Sequence, residues 1–401
     1  MMRRMWRGVA GTLGIWAAGA AVLRFMLLQP EICPPVTADG ALAGARESAA
    51  WMARQQAADG SFLYEYDLDA AAPIPGYNVV RHAGVLLSLY QLAGADPSSP
   101  ALATGDRGYA WAERQLVREG GWVALRDPLD GSIESGGSAL LLTALAQRRI
   151  ATGDPVHDEV MKGLGRFLRE MEQQDGSILL AWSPAIGRPD PTLRSKYATG
   201  QALWGFALLH RLFPGEGWDR PAREVAEYLS QHRDEVEQQR FPPWADQWAA
   251  YGLAEMAAWP GPGPQLSQTN AAYARSLAKR FGFLVRVDSR RTDTRIDRAI
   301  HARRARAAGA GTWSEGLDSL VRVAGLDPRL ADLGPELRER AVCVAGMLRD
   351  RQYSASEAQQ TRAPGVAEGA WFADGVTRMD DQQHALSGML WAMPYLPASK
   401  N

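Results

Sequence analysis

Residues 51–62 read Trp51-Met-Ala-Arg-Gln-Gln-Ala-Ala-Asp59-Gly60-Ser61-Phe62, and residues 167–178 read Phe167-Leu-Arg-Glu-Met-Glu-Gln-Gln-Asp175-Gly176-Ser177-Ile178. Each is an amphipathic run that stops at Asp-Gly, where Gly takes the left-handed conformation that ends a helix. Gln115…Gly120-Gly121-Trp122 is a degenerate third copy. Outward from these stops, helical periodicity recurs from about residue 41 to 396, broken by Gly, Pro and Asp. No strand-like alternation runs far.

The segments pair as Ala41–Ala57 with Asn78–Leu92, Arg107–Arg118 with Gly136–Ile150, and Val156–Gln173 with Thr199–Phe213. Then come Pro221–Arg233 with Gln247–Trp259, Asn270–Phe283 with Ser314–Ala324, and Pro335–Arg351 with Gln382–Tyr395. The period of about 60 residues is longer than that of the common helical-repeat units. The first helix of each pair is amphipathic and charged. The second is small and apolar, as in Gly136-Gly-Ser-Ala-Leu-Leu-Leu-Thr. A helix apolar on most sides is buried. Six alternations of exposed and buried helices predict an all-α closed double ring, with the loops that enter the inner helices gathered at one end.

The chain resembles the (α/α)6 toroid superfamily: six-hairpin glycosidases, sugar epimerases, polysaccharide lyases and their terpenoid-cyclase-like cousins. The Asp-Gly-Ser turns at 59–61 and 175–177 carry the likeness, being similar to the Q-x-x-D-G-S-W turns of such toroids. The resemblance covers residues 41–396 and implies a single ring domain.

Composition excludes several classes. The chain has 401 residues, with 44 Lys+Arg against 45 Asp+Glu, so no bulk positive charge holds nucleic acid. A hydrophobic content of 46% excludes a disordered chain. Mean hydropathy of -0.25 excludes a polytopic membrane protein. Cys33 and Cys343 are too few for a disulfide scaffold or a Cys-rich zinc site.

Arg3, Arg4 and Arg7 precede an uncharged run, Gly8–Leu23, and Phe25–Leu28 extends it beyond Arg24. A basic start followed by an apolar stretch is a targeting segment. It reads as an uncleaved signal anchor in preference to a leader cleaved near Ala18-Gly19-Ala20, with the remainder exported, extracytoplasmic and tied to the membrane. Residues 1–35 are then anchor and linker, and 36–401 the toroid with an insertion at 284–311.

Polar residues crowd the starts of the inner helices. Hairpin one offers Tyr77, Asn78, Arg81 and His82; hairpin three, Lys196, Tyr197 and Gln201; hairpin four, Trp244, Asp246, Gln247 and Trp248. Hairpin five offers Trp313 and Glu315, a carboxylate whose pKa a nearby helix N-terminus would lower. Hairpin six is densest: Arg378, Asp380, Asp381, Gln383 and His384. Glu134-Ser135 before hairpin two reads as a helix cap. Asn78 and Asp246 also read as caps, His82 as a satisfied core histidine, and the tryptophans as core. In a closed ring hairpins one and six are neighbours, so His82, Arg81, Asn78, Asp380, Asp381 and His384 meet at one seam.

Hydrolysis of a glycoside requires two carboxyl groups about 5–5.5 Å or 6.5–9.5 Å apart, to be drawn from Asp381, Asp380, Asp246 and Glu315. A lyase or C5-epimerase acting on an acidic sugar requires an acid, a base and a neutralising cation, which Tyr77, His82, Asn78 and Arg81 supply. Asp67-Leu-Asp69-Ala departs at its last position from the acidic run of class II terpenoid cyclases. A glycan-binding scaffold is the non-enzymatic alternative, and a metal site of His82, His384 and Asp381 is the less favoured one; no cofactor is expected. Eight arginines between Leu284 and Gly311, on a helix expected near 294–307, form either a solvated surface or an arm that attracts an anionic polymer or lipid headgroup. The expected partner is a carbohydrate, acidic if that arm is functional.

Overall fold

The computed structural model describes residues 2–26, 29–238 and 244–398. Leu27 and Leu28 of the apolar run quoted above lie outside them. Helix α1 (Met2–Met26) is followed by six hairpins. The outer helices are α2 (Ala38–Arg54), α4 (Ala101–Glu113), α6 (Asp158–Met171), α8 (Asp219–Gln231), α11 (Gln268–Asp288) and α14 (Gly334–Asp350). The inner helices are α3 (Val79–Ala95), α5 (Ser135–Thr152), α7 (Ala198–Leu212), α10 (Gln247–Ala257), α13 (Ala307–Leu326) and α17 (Met379–Ala392). Short helices α9 (Arg233–Val236), α12 (Arg295–His301), α15 (Ala355–Ala358) and α16 (Pro364–Ala367) sit in the connections.

Each inner helix packs on the next, α3 on α5, α7, α10, α13 and α17 in turn, and α17 returns to α3. The ring is closed. Burial on nearly every side explains the apolar composition of the inner helices. Small residues let them approach: a Cβ on Gly311 of α13 would lie 2.3 Å from the backbone carbonyl of His384 on α17.

The Asp-Gly-Ser turns have one purpose. Asp59 Oδ1 accepts from the Ser61 N–H at 2.9 Å and its hydroxyl at 2.7 Å. Asp175 does the same for Ser177, at 2.9 and 2.6 Å. Gly60 and Gly176 take φ of +94° and +85°, and a Cβ would lie 2.3 Å from the Arg107 carbonyl oxygen and 2.4 Å from that of Glu224. Each turn therefore locks an outer helix onto the next outer helix.

Three features correct or extend these expectations. The loops at the ring mouth carry short strands, β1 (Glu65–Asp67), β2 (Ala72–Ile74), β3 (Leu116–Glu119), β4 (Trp122–Leu125), β5 (Ile133–Glu134), β6 (Ala181–Ser183), β7 (Arg188–Pro189) and β8 (Val376–Arg378). β1 pairs antiparallel with β8, Glu65 opposite Arg378, and so ties hairpin one to hairpin six. Second, α13 begins two turns before Ser314, because Ala307–Gly311 continues the helix despite its two glycines. Third, Cys33 and Cys343 form a disulfide. The linker runs down the outer wall with it. Glu31 meets Arg340 at 3.2 Å and Arg286 at 3.4 Å, the Ile32 N–H donates to Ser289 Oγ at 3.3 Å, and Arg290 donates to the Pro30 carbonyl at 3.0 Å.

Among the described residues no helix is long and apolar enough to cross a membrane. The described side chains of α1, residues 11–24, are exposed.

Candidate active site

All six inner helices deliver residues to one cavity of about 460 Å³ on the ring axis at the mouth. α3 and its cap bring Asn78 and Arg81; the start of α5 brings Glu134 and Gly136; α7 and its approach bring Tyr197 and Gln201. Trp244 and α10 bring Gln247 and Trp248; α13 brings Thr312 and Trp313; α17 brings Arg378, Asp380, Gln383 and His384. Lys196 stands beside it, its ammonium 4.2 Å above the Trp244 ring.

Asp380 and His384 are one turn apart on α17 and share a face. Asp380 lies between two guanidinium groups. Arg378 donates to both its oxygens, at 3.0 and 2.9 Å, and Arg81 Nε is 3.2 Å away. Arg81 is itself held by Tyr64 Oη at 2.5 Å.

His384 lies one turn deeper. Its Nδ1 is 2.9 Å from Glu315 Oε2, and its ring is 5.6 Å from that of Trp248. Nδ1–H donating to the carboxylate leaves Nε2 for the cavity. Burial works to lower the His384 pKa, but the Glu315 carboxylate behind it prevails and holds it above the ordinary value. Glu315 is therefore the partner that orients His384 and does not itself line the cavity. The expected lowering of its pKa by a helix N-terminus does not occur. Glu315 is two turns into α13 and fully buried, and burial raises it.

Glu134 is the residue that sequence reasoning misplaced. It precedes α5, yet its side chain makes no capping bond. Among the described residues its carboxyl has no ion-pair partner. Burial, then the Asp130 and Asp127 charges, raise its pKa. Ser135 does not cap the helix either, its hydroxyl donating to the carbonyls of Leu179 and Leu180 at 2.8 and 3.1 Å, and no local sequence signal tells this pair from a cap.

Four residues expected to be catalytic face elsewhere. Asp381, one residue beyond Asp380, points between helices: it accepts from Arg306 at 2.5 Å, from the Ala308 N–H at 3.0 Å and from the Arg378 N–H at 3.0 Å, clamping the start of α13. Asp246 caps α10 through the Ala249 N–H at 3.0 Å and is sealed in an ion pair with Arg233. His82 is fully buried, its Nε2 3.0 Å from the Gly108 carbonyl and its Nδ1 2.7 Å from Tyr77 Oη. Tyr77 accepts in turn from the Phe62 N–H at 3.0 Å, which fixes the neutral Nε2–H imidazole. Burial lowers the His82 pKa to about 4 and raises that of Tyr77. The seam thus divides: Arg81, Asn78, Asp380 and His384 face the axis, while His82, Tyr77 and Asp381 hold the wall. Among the described residues no cluster of three His, Cys, Asp or Glu is arranged to hold a metal.

No family model matches the chain, and no curated protein matches it. Solved structures do match. Cellobiose 2-epimerase from Spirochaeta thermophila superposes with a TM-score of 0.58 at 15% identity, over 90% of this chain and 98% of that one. A family 76 glycoside hydrolase from a bovine Bacteroides thetaiotaomicron strain gives 0.58 at 10% identity, over 89% and 77%. D-mannose isomerase gives 0.58 at 11% identity, over 88% and 97%. The chain has the six-hairpin (α/α)6 toroid fold. At such identities the likeness is one of fold, and the cavity alone speaks to chemistry.

Below the cavity the ring axis stays polar. Asp318 lies one turn beyond Glu315 on α13, fully buried, with Ser314 Oγ at 3.3 Å. Burial raises its pKa well above the ordinary value. Ser387 on α17 donates to Gln91 on α3 at 2.7 Å. Among the described residues Asp318 Oδ1 has no hydrogen-bond partner.

Proposed function

We propose that this protein is a carbohydrate-active enzyme and that its reaction is glycoside hydrolysis. The observation that carries the reading is the contrast between two carboxyl groups on one cavity. Glu134 is desolvated and, among the described residues, has no ion-pair partner, as suits a general acid; Asp380 is held by two guanidinium groups, as a base or nucleophile is. The surroundings suit a sugar. Trp244, Trp248, Trp313 and Tyr197 offer ring faces, and among the described residues the buried Gln201 Oε1 and Trp244 Nε1 have no hydrogen-bond partner, a place that sugar hydroxyl groups would fill.

The test is a panel of oligosaccharides and aryl glycosides read for new reducing ends. Glu134→Gln and Asp380→Asn should each lower turnover on the order of 10²–10⁴-fold. Full activity in both variants would sink the assignment.

The His384–Glu315 dyad favours a second reading, epimerisation or isomerisation of a sugar by proton transfer. It predicts deuterium uptake from heavy water into the sugar carbon skeleton without new reducing ends. The acidic-sugar version built on Tyr77 and His82 loses its residues to the wall. The cyclase version loses Asp67, which accepts from the N–H groups of Asp69 and Ala70 at 2.9 Å in a surface turn.

We also propose that the domain acts outside the cytoplasm, tied to the membrane by residues 1–35. The basic-then-apolar start and the Cys33–Cys343 disulfide support this, since disulfides persist in oxidising compartments. Cell fractionation with non-reducing mass spectrometry tests it: a reduced, cytoplasmic protein would overturn it.

A further inference from the structure

The insertion between hairpin five's helices is not the open basic arm its composition suggests. α11 continues to Asp288, and α12 is a short helix with two unlike faces. One face binds the ring. Arg298 meets Asp374 at 2.8 Å, and Arg304 meets Asp293 at 3.1 Å and donates to the Arg291 carbonyl at 2.7 Å. The other face is Arg295, Ile296, Ala299 and Ile300, all exposed, and Arg303 follows just beyond the helix end. Ile296 is 76% exposed and Ile300 58%. Arg303 shares Asp374 with Arg298, and Arg298 shares Asp293 with Arg304. Three arginines share these two carboxylates, so the arm keeps a positive balance.

What lies against this face follows from where the linker leaves the domain. Pro30, Glu31 and Ile32 are fixed to Arg290, Arg286 and Ser289 at the end of α11, and Cys33 is fixed covalently to α14. The chain therefore departs towards α1 beside the foot of the arm. α1 carries apolar side chains that no described residue covers: Ile15 is 75% exposed, Trp16 74% and Leu13 63%. Ile32, at the exit, is 57% exposed. An apolar face edged by arginines, on an arm at whose foot the chain leaves towards an exposed apolar helix, is the pattern of an element lying in the interface of an anionic bilayer.

We propose that the free face of α12 is a membrane-contact surface, with Ile296, Ala299 and Ile300 entering the boundary between headgroups and acyl chains and Arg295 and Arg303 meeting anionic headgroups. The arm runs directly into α13, whose Ala308 and Gly309 line the cavity. The contact therefore sets the mouth of the ring close to the bilayer and limits substrate to glycan near the membrane surface. The inference rests on the reading of residues 1–35 as a membrane leader, and its test reads no catalysis, so failure of the hydrolase assignment leaves it standing.

The experiment is hydrogen exchange on the full chain, in nanodiscs of phosphatidylglycerol, in nanodiscs of phosphatidylcholine and in non-ionic detergent. The readout is local because the leader alone would carry the chain onto any bilayer. The amides of α12 should exchange about tenfold more slowly in phosphatidylglycerol than in detergent, with a smaller effect in phosphatidylcholine. Ile296→Ser with Ile300→Ser should abolish that protection while exchange in the inner helices is unchanged. Equal exchange in all three media overturns the proposal. Slowing by a soluble acidic polysaccharide in detergent, without slowing in nanodiscs, overturns it in favour of a polymer-binding face. Failure of the chain to enter any nanodisc overturns the leader reading together with this one.

Discussion

The first turns of α3 and α17 are adjacent across the closing seam, and each carries a histidine just inside an inner helix. They have opposite fates. His82 is sealed by α4, whose Gly108 has no side chain to keep the imidazole from its carbonyl, and by Phe62, Trp111 and Tyr77. His384 points along the axis, with a carboxylate behind it and the cavity before it. One imidazole spends both nitrogens on the wall; the other keeps one for a ligand. Position within a helix decides burial, and the partner across the packing interface decides whether a buried group can do chemistry.

The largest expected difference is in turnover. On the glycan that the panel identifies, His384→Ala should lose on the order of 10²-fold or more, whether it acts as acid–base or positions the sugar. His82→Ala should keep activity per folded molecule within a few-fold. Equal losses in both would erase the contrast.

Stability comes next. Asp381→Ala removes the acceptor of Arg306 and of two backbone N–H groups. It should cost about 3–5 kcal/mol in denaturant unfolding, as expected for one partner of a buried pair. A cost under about 1 kcal/mol would refute the clamp.

The two histidines should also pull the pH–stability curve in opposite directions. His82 has its pKa lowered from 6.5 to about 4. Its contribution, about 3 kcal/mol, is present above pH 6.5 and lost as pH falls through about 4. His384 is raised, so its contribution is present below 6.5 and lost as pH rises through its folded value. His82→Gln should flatten the acid limb of the curve and leave the alkaline limb unchanged.

The smallest effect is expected below the cavity. The pKa of Asp318 is raised well above its ordinary value of 3.8, so its burial costs nothing below pH 4 and progressively more as pH rises. Asp318→Asn should therefore stabilise the protein by about 1–2 kcal/mol at pH 8 and by nothing at pH 4. A gain independent of pH would mean that Asp318 is satisfied in a way its surroundings do not show.

The ring was legible because burial writes itself into composition: an inner helix has no polar face, and Asp59-Gly60-Ser61 marks where an outer helix must stop. Most of the cavity wall was legible for the same reason. Arg378, Asp380, Gln383, His384, Gln201 and Gln247 are polar residues in segments that should have been apolar. Orientation was not legible. Successive helix residues point about 100° apart, so Asp380 meets the axis while Asp381 meets Arg306, and no spacing rule separates them without the neighbouring helix. Glu134 was hidden because a carboxylate before a helix looks like a cap. Glu315 was misjudged because Gly311, which serves close helix packing, and Gly309, which lines the cavity, look like a loop. Cys33 and Cys343 are 310 residues apart, and nothing local announces their pairing.

The seam has a temporal side. α17 with β8 joins α3 with β1, at opposite ends of the chain, so the first hairpin made is the last to find its final neighbour. At translation rates of about 5–20 residues per second, α3 waits on the order of tens of seconds with an apolar flank open. A ring assembled in this order has high contact order and a slow last step. Truncation anywhere before β8 would leave not a smaller ring but an open arc, with its two most apolar edges free to join other copies.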